Sequence, residues 1–221
     1  MRKTTSILVG CVLSASILAT TTSRADDDLV TYQITITNVT PGQPFAPIMA
    51  ASHKSGMSFF EVGHAPSDEL ARLAESGNGK PLAAKLMATP GVSDAQVSTT
   101  GLTFPGKTTT MTIMAKSGMD RISIGSMLGV TNDAFFAVRD VALPKGRQVL
   151  SYSADAYDAG SEDNDELAAT IGAIGGQGYS PDNFGEGFVH IHNGVHGIGA
   201  LPANIRDWRN PVAEIVIERM K

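Results

Sequence analysis

Five carboxylates fall within nine residues of this 221-residue chain, at Asp158, Glu162, Asp163, Asp165 and Glu166. Like charges at that density repel one another, and a hard divalent cation relieves the repulsion by taking roughly six to eight oxygen ligands. Gly160 permits a tight backbone turn that would aim Asp158 and Glu162 at one point. The spacing does not match an EF-hand loop, which excludes that motif. A solvated acidic loop leading into a helix with Asp163 to Glu166 in its first turn uses the same residues without an ion, so both readings stand at this point. A second set of candidate ligands is His190-Ile191-His192, with His196 following Asn193-Gly194-Val195. Imidazoles converging from one strand face would suit zinc or copper in a small metalloenzyme, whereas a solvated edge strand carries the same pattern without metal. Other catalytic grammar is missing from the sequence: there is no Gly-x-Ser-x-Gly elbow, no His-Glu-x-x-His and no phosphate-cradling glycine loop.

The elements that must position these residues are mostly strands. Val30, Tyr32, Ile34 and Ile36 alternate with Thr31, Gln33, Thr35 and Thr37, the period-two pattern of a half-buried strand. Thr109, Met111, Ile113 and Ala115 repeat it, as do Ala213, Ile215 and Ile217 near the C-terminus. Phe45 to Ser52, Met57 to Val62, Ala134 to Val141, Gln148 to Ala154 and Gly187 to His192 are further strand candidates, punctuated by Pro-Gly turns. Two short helices are expected between them. Ser67 caps one that carries Leu70, Leu73 and Ala74 on a face and stops at Gly77, and Pro81 opens another running to about Ala88. Many short strands with few helices predict an all-β chain, an antiparallel β-sandwich with one or two short helices in its connections. Trp208, beside Arg206 and Arg209, is expected in the core near the last strand, with a surface anchor as the alternative.

Arg2 and Lys3, the apolar run Ile7 to Ala19 and the small-x-small triplet Ser23-Arg24-Ala25 have the order of a secretory signal peptide over residues 1–25, so the chain is expected to be exported, periplasmic or secreted. Leu8-Val9-Gly10-Cys11 offers the alternative of a lipid anchor at Cys11. The apolar run is too short to span a bilayer, and no spanning segment is expected after signal removal. Residues 26–221 then form one domain, large enough to bury its own core. Loss of Arg2, Lys3 and Arg24 moves the formal charge from −5 to −8 and leaves no cysteine. An acidic, cysteine-free domain excludes disulfides and makes nucleic acid an unsuitable partner, since its phosphates would be repelled.

Two motifs carry a family resemblance. Tyr157-Asp158-Ala159-Gly160-Ser161-Glu162 resembles the YDAGT(D/E) signature of spondin N-terminal domains, the F-spondin and mindin type. Ser126 to Val138 resembles the same family's SM…P(S/T)(P/N)D-W-F-V-G segment, and the opening strand Tyr32 to Asn38, Ala51-Ser52-His53 and the closing Pro211 to Ile217 agree more loosely in the same order. The resemblance covers about residues 30 to 219 and implies an antiparallel β-sandwich holding one calcium ion through Asp133, Asp158 and Glu162. It also implies a non-enzymatic adhesion or recognition module whose partner is a surface or matrix protein or glycan. Glu162 stands where animal members usually carry Asp, and Ala134 replaces the family's aromatic. Asp163, Asn164, Asp165 and Glu166 resemble bacterial members; Asp163, Asp165 or Glu166 could add a ligand or start the following helix. Mass spectrometry of exported protein is expected to find an N-terminus at Asp26; a lipidated Cys11 would show the other processing route.

Overall fold

The computed structural model describes Met1 and residues 29–220; the expected signal segment beyond Met1, including Cys11, lies outside them. The described chain is all-β in its framework. Its strands are β1 (Val30–Asn38), β2 (Met49–His53), β3 (Val92–Val97), β4 (Thr108–Ala115), β5 (Arg121–Met127), β6 (Ala134–Ala142), β7 (Val149–Asp158), β8 (His190–Ile191) and β9 (Ala213–Arg219). The helices are α1 (Asp68–Ser76), α2 (Lys80–Met87) and the single turn α3 (Ala203–Arg206). All pairings are antiparallel, in the order β3-β2-β5-β6-β7-β9-β1-β4, with β8 added beside β7.

The strand that organises this path is β7. Val149 to Ala154 pair with β9, whereas Asp155 to Asp158 pair with β6, so one strand passes from one sheet into the other. Ile34 and Ile36 of β1, Ile113 of β4, Ile122 and Ile124 of β5, Phe136 of β6 and Ile215 and Ile217 of β9 fill the space between the sheets. Burial on the order of 25 cal/mol per Å2 of apolar surface makes this the main stabilising contribution. At the far edges, Ser52 Oγ donates to the Met114 carbonyl (2.6 Å) and the Met114 amide donates to Asp94 Oδ2 (2.9 Å), so β2 and β3 reach across to β4 and nearly close the sandwich.

A second apolar layer lies outside the first. Met49 and Ala51 of β2 and Phe135 of β6 pack with Leu70, Leu73 and Leu82 of the helices. Ser67 Oγ accepts the Leu70 amide at 3.3 Å, Asp68 and Glu69 favour the positive end of α1, and Gly77 ends it at φ +67°. Because this layer covers β2, all five of its residues are buried and the alternation disappears. The same two-sided burial hides β5 from a period-two reading. The expected strand over Met57 to Val62 does not form; Phe59 and Phe60 are buried beneath the helical layer as part of a loop. The strand expected from Phe45 begins at Met49, that expected over Gly187 to His192 shrinks to two residues, and that expected from Gln148 to Ala154 extends to Asp158. Asp163 to Glu166 form no helix. Trp208 is buried, as expected.

The two kinds of helix contact should separate in urea titrations. Ser67→Ala is expected to cost about 1 kcal/mol through the lost cap, and Leu70→Ala, fully buried, about 3 kcal/mol, with the unfolding slope unchanged.

Candidate cation site

Asp158 is the last residue of β7, and its neighbours on both sides are set by strand register. Toward β6 it pairs with Ala134, which places Asp133 beside it; toward β8 it pairs directly with His190. The β8 side is possible because Gly160, at φ +66°, lies against the backbone of Phe188, where any Cβ would collide with the Phe188 carbonyl. The Gly187 amide donates to the Gly160 carbonyl at 2.8 Å, and Val189 exchanges backbone hydrogen bonds with Gly63 and His64 (2.7 and 2.9 Å). A bend over residues 185–188, with Gly187 at φ +81°, turns Glu186 back toward His190 and brings both to Asp158.

The ligand-type atoms are close. His190 Nε2 lies 3.7 Å from Asp158 Oδ1 and 3.7 Å from Glu186 Oε2. Among the described residues, ligand atoms of Asp158, Glu186 and His190 lie mutually within 4.8 Å. Asn164 Nδ2 bridges the carboxylates, donating to Asp158 Oδ2 at 2.7 Å and to Glu186 Oε1 at 3.4 Å. Asp158 Oδ1 accepts the Gly160 amide at 2.7 Å. Asp133 is fully buried; its Oδ2 accepts the amides of Ser161 (2.8 Å) and Glu162 (3.1 Å), while its Oδ1 has no hydrogen-bond partner. Burial, then the charge of Asp158, holds the Asp133 carboxyl well above the usual range, and burial also raises Asp158 against the opposing pull of Asn164 and Gly160. A cation placed between them would offset both the burial and the mutual repulsion. The donor set, with a buried carboxylate oxygen left unpartnered, suits a divalent ion.

The five clustered acids divide by role. Glu162 gives its amide to Asp133, but its carboxylate faces away from the Asp158 group: burial, then Glu75 of α1, Asp165 and Asp163, push it up to about 8. Asp133 is a neighbour of Asp158 through strand register and charge, but among the described residues the group of ligand atoms within 4.8 Å is Asp158, Glu186 and His190, and it includes neither Asp133 nor Glu162. Asp165 is engaged by the Leu167 amide, Thr170 Oγ1 and Asn132 Nδ2 (2.9, 2.7 and 3.0 Å). Glu166 accepts the amides of His196, Gly197 and Ile198 (2.5, 2.7 and 3.0 Å), which neutralises it with backbone dipoles. Asp163 is exposed. These hydrogen bonds, tying the loop to Asn132 and to residues 196–198, take the place of the expected helix.

The three histidines also divide. His190 faces the carboxylates. His192 packs against Trp208 with ring centroids 4.9 Å apart, and its Nδ1 accepts the Gly194 amide at 2.9 Å. His192 Nε2 is buried without a hydrogen-bond partner, 3.7 Å from Asp158 Oδ2. Burial, then neighbouring His190 and His196, lower its pKa to about 4. The His196 side chain is exposed, and among the described residues the three rings do not gather as one ligand set. Glu186 is missing from the sequence expectation, and no sequence signal marks it, because the bend over residues 185–188 is what carries it to His190.

No protein-family model matches the chain, and no curated protein matches it. The fold defines an all-β protein of the antiparallel sandwich class. Among the described residues no helix is long and apolar enough to cross a membrane.

Glu162 generates a pH test. Its pKa is raised on folding, so the folded state binds the proton more tightly, and the stabilising contribution present below pH 4.5 is lost as pH rises to about 8. Glu162→Gln is expected to raise the unfolding free energy at pH 8.5 in chelator by about 1–3 kcal/mol and to leave it nearly unchanged at pH 4. Equal effects at both values would show that this carboxyl carries no such penalty.

Proposed function

We propose that this chain is an exported, non-enzymatic β-sandwich module whose end loops are clipped together by one divalent cation, calcium being the ion the family resemblance implies. Its role would be adhesion or recognition at the cell surface or in the periplasm, toward a protein or glycan. The observation that carries the cation reading is the unpartnered, fully buried Oδ1 of Asp133, beside the paired position of Asp158 at the end of β7. Asp133 and Asp158 would hold the ion, with Glu186 in place of Glu162. The ion supplies positive charge that ties the start of β6, the end of β7 and the segment before β8. The chain's own residues do the rest: Ser161 and Glu162 amides orient Asp133, and Asn164 orients Asp158 and Glu186.

A ligand bound only by the folded state stabilises it by about 2.7 kcal/mol at one hundred times its dissociation constant. Millimolar calcium is therefore expected to raise the melting temperature of chelator-stripped protein by about 5–10 °C. Asp158→Asn should abolish that shift while leaving the stripped protein as stable as the unaltered chain or more so, since it removes one repelling charge. Indifference of the unaltered protein to both calcium and chelator sinks the reading.

A further inference from the structure

We infer that His190 turns this site into a mixed nitrogen and oxygen site that takes zinc, and to a lesser degree manganese, in preference to calcium. The inference rests on the cation-clip reading and concerns which ion the clip takes. His190 Nδ1 lies 3.0 Å from the Ile191 carbonyl, which can only accept, so Nδ1 carries a proton and, in the neutral ring, the Nε2 lone pair faces Asp158 and Glu186. That is the tautomer a metal-bound imidazole requires, fixed by the main chain rather than by the acids it faces. The separations within the group fit either ion after a small contraction, so the nitrogen decides. Calcium is satisfied by oxygen ligands, whereas imidazole favours later first-row ions in the order manganese below zinc.

Two features outside the acidic cluster support the same assignment. His192, its side chain 5 % exposed, has Nδ1 occupied by the Gly194 amide, so its neutral ring carries the proton on Nε2, aimed at Asp158 Oδ2. At 3.7 Å this is longer than a hydrogen bond, so His192 takes a positioning role only where the carboxylate shifts toward it on metal binding. On the other side, Glu186 and His190 keep 38 % and 21 % of their side-chain surface exposed, which opens the site to ions and leaves room for water in the coordination shell. The competing arrangement is a protonated His190 acting only as counter-charge to Asp158 and Glu186, which requires no metal.

The test is calorimetric titration of the chelator-stripped, purified chain at pH 7.5 with zinc, manganese or calcium chloride in turn. Expected are one site per chain and zinc bound at least about a hundredfold more tightly than calcium, with manganese between. His190→Ala should weaken zinc by about tenfold or more and calcium by less than about threefold. Should that variant fail to fold, His190→Gln and pulsed electron paramagnetic resonance of the manganese-loaded, unaltered protein replace it; a nitrogen-14 coupling is expected in the latter. Calcium binding as tight as zinc, a zinc-to-calcium ratio untouched by His190→Ala, or a missing nitrogen coupling overturns this inference and leaves the clip standing. Absence of binding by all three ions overturns both.

Discussion

Two acidic side chains, Asp133 and Asp158, are buried side by side at the end of the half of β7 that pairs with β6. Strand pairing forces this proximity: Ala134 is registered opposite Asp158, so Asp133 has nowhere else to go. Removing a carboxylate from water is costly, and removing two together costs more. The surrounding loops are arranged to offset it. Backbone amides of Gly160, Ser161 and Glu162 and the side-chain amide of Asn164 point at these oxygens. The conformation of residues 159–164 is in this sense dictated by the two acids it surrounds. One buried lone pair is still left over, on Asp133.

The remaining acids show that charge density and ion binding are separate matters. Glu166, itself at φ +55°, is satisfied by three successive amides, and Asp165 by an amide, a hydroxyl and Asn132. They pin one end loop to another without an ion. Glu162 and Glu75 form the opposite case, two buried carboxyls raised together, one of them with an unpartnered oxygen. Thus a single acidic stretch contains an orienting amide, an internal anchor and a destabilising buried acid within a few residues.

How much of this was legible beforehand depends on how many faces of each element are buried. β1, β4 and β9 each bury one face, and their alternation announced them and their inward residues. β2 and β5 are buried on both faces, so period two vanished from their residues. Met57 to Val62 looked like a strand because Phe59 and Phe60 are apolar, yet their apolarity serves the helical layer. At the site, the adjacency of Asp133 and Asp158 follows from the register of β6 against β7, which the sequence pattern of either strand does not fix. Glu162 gives its backbone amide to Asp133, and its carboxylate lies near Glu75, an arrangement set by the turn at Gly160 that spacing alone does not reveal. Glu186 could not be found from spacing to Asp158, since the close passage of residues 186–190 past Gly160 is a tertiary event.

The dual allegiance of β7 restricts how the chain can vary. Its first half is held in register by β9 and its second half by β6 and β8. A one-residue deletion within it would evert Ala154 and Ala156 from the core and swing Asp158 out to solvent, undoing interior and site in one step. The turn between β6 and β7, around Lys145-Gly146-Arg147, lies at the opposite end of the strand and is largely exposed. Length changes should therefore accumulate in that turn and be purged from β7, so divergent relatives would be aligned by counting back from Asp158 rather than forward from Val149.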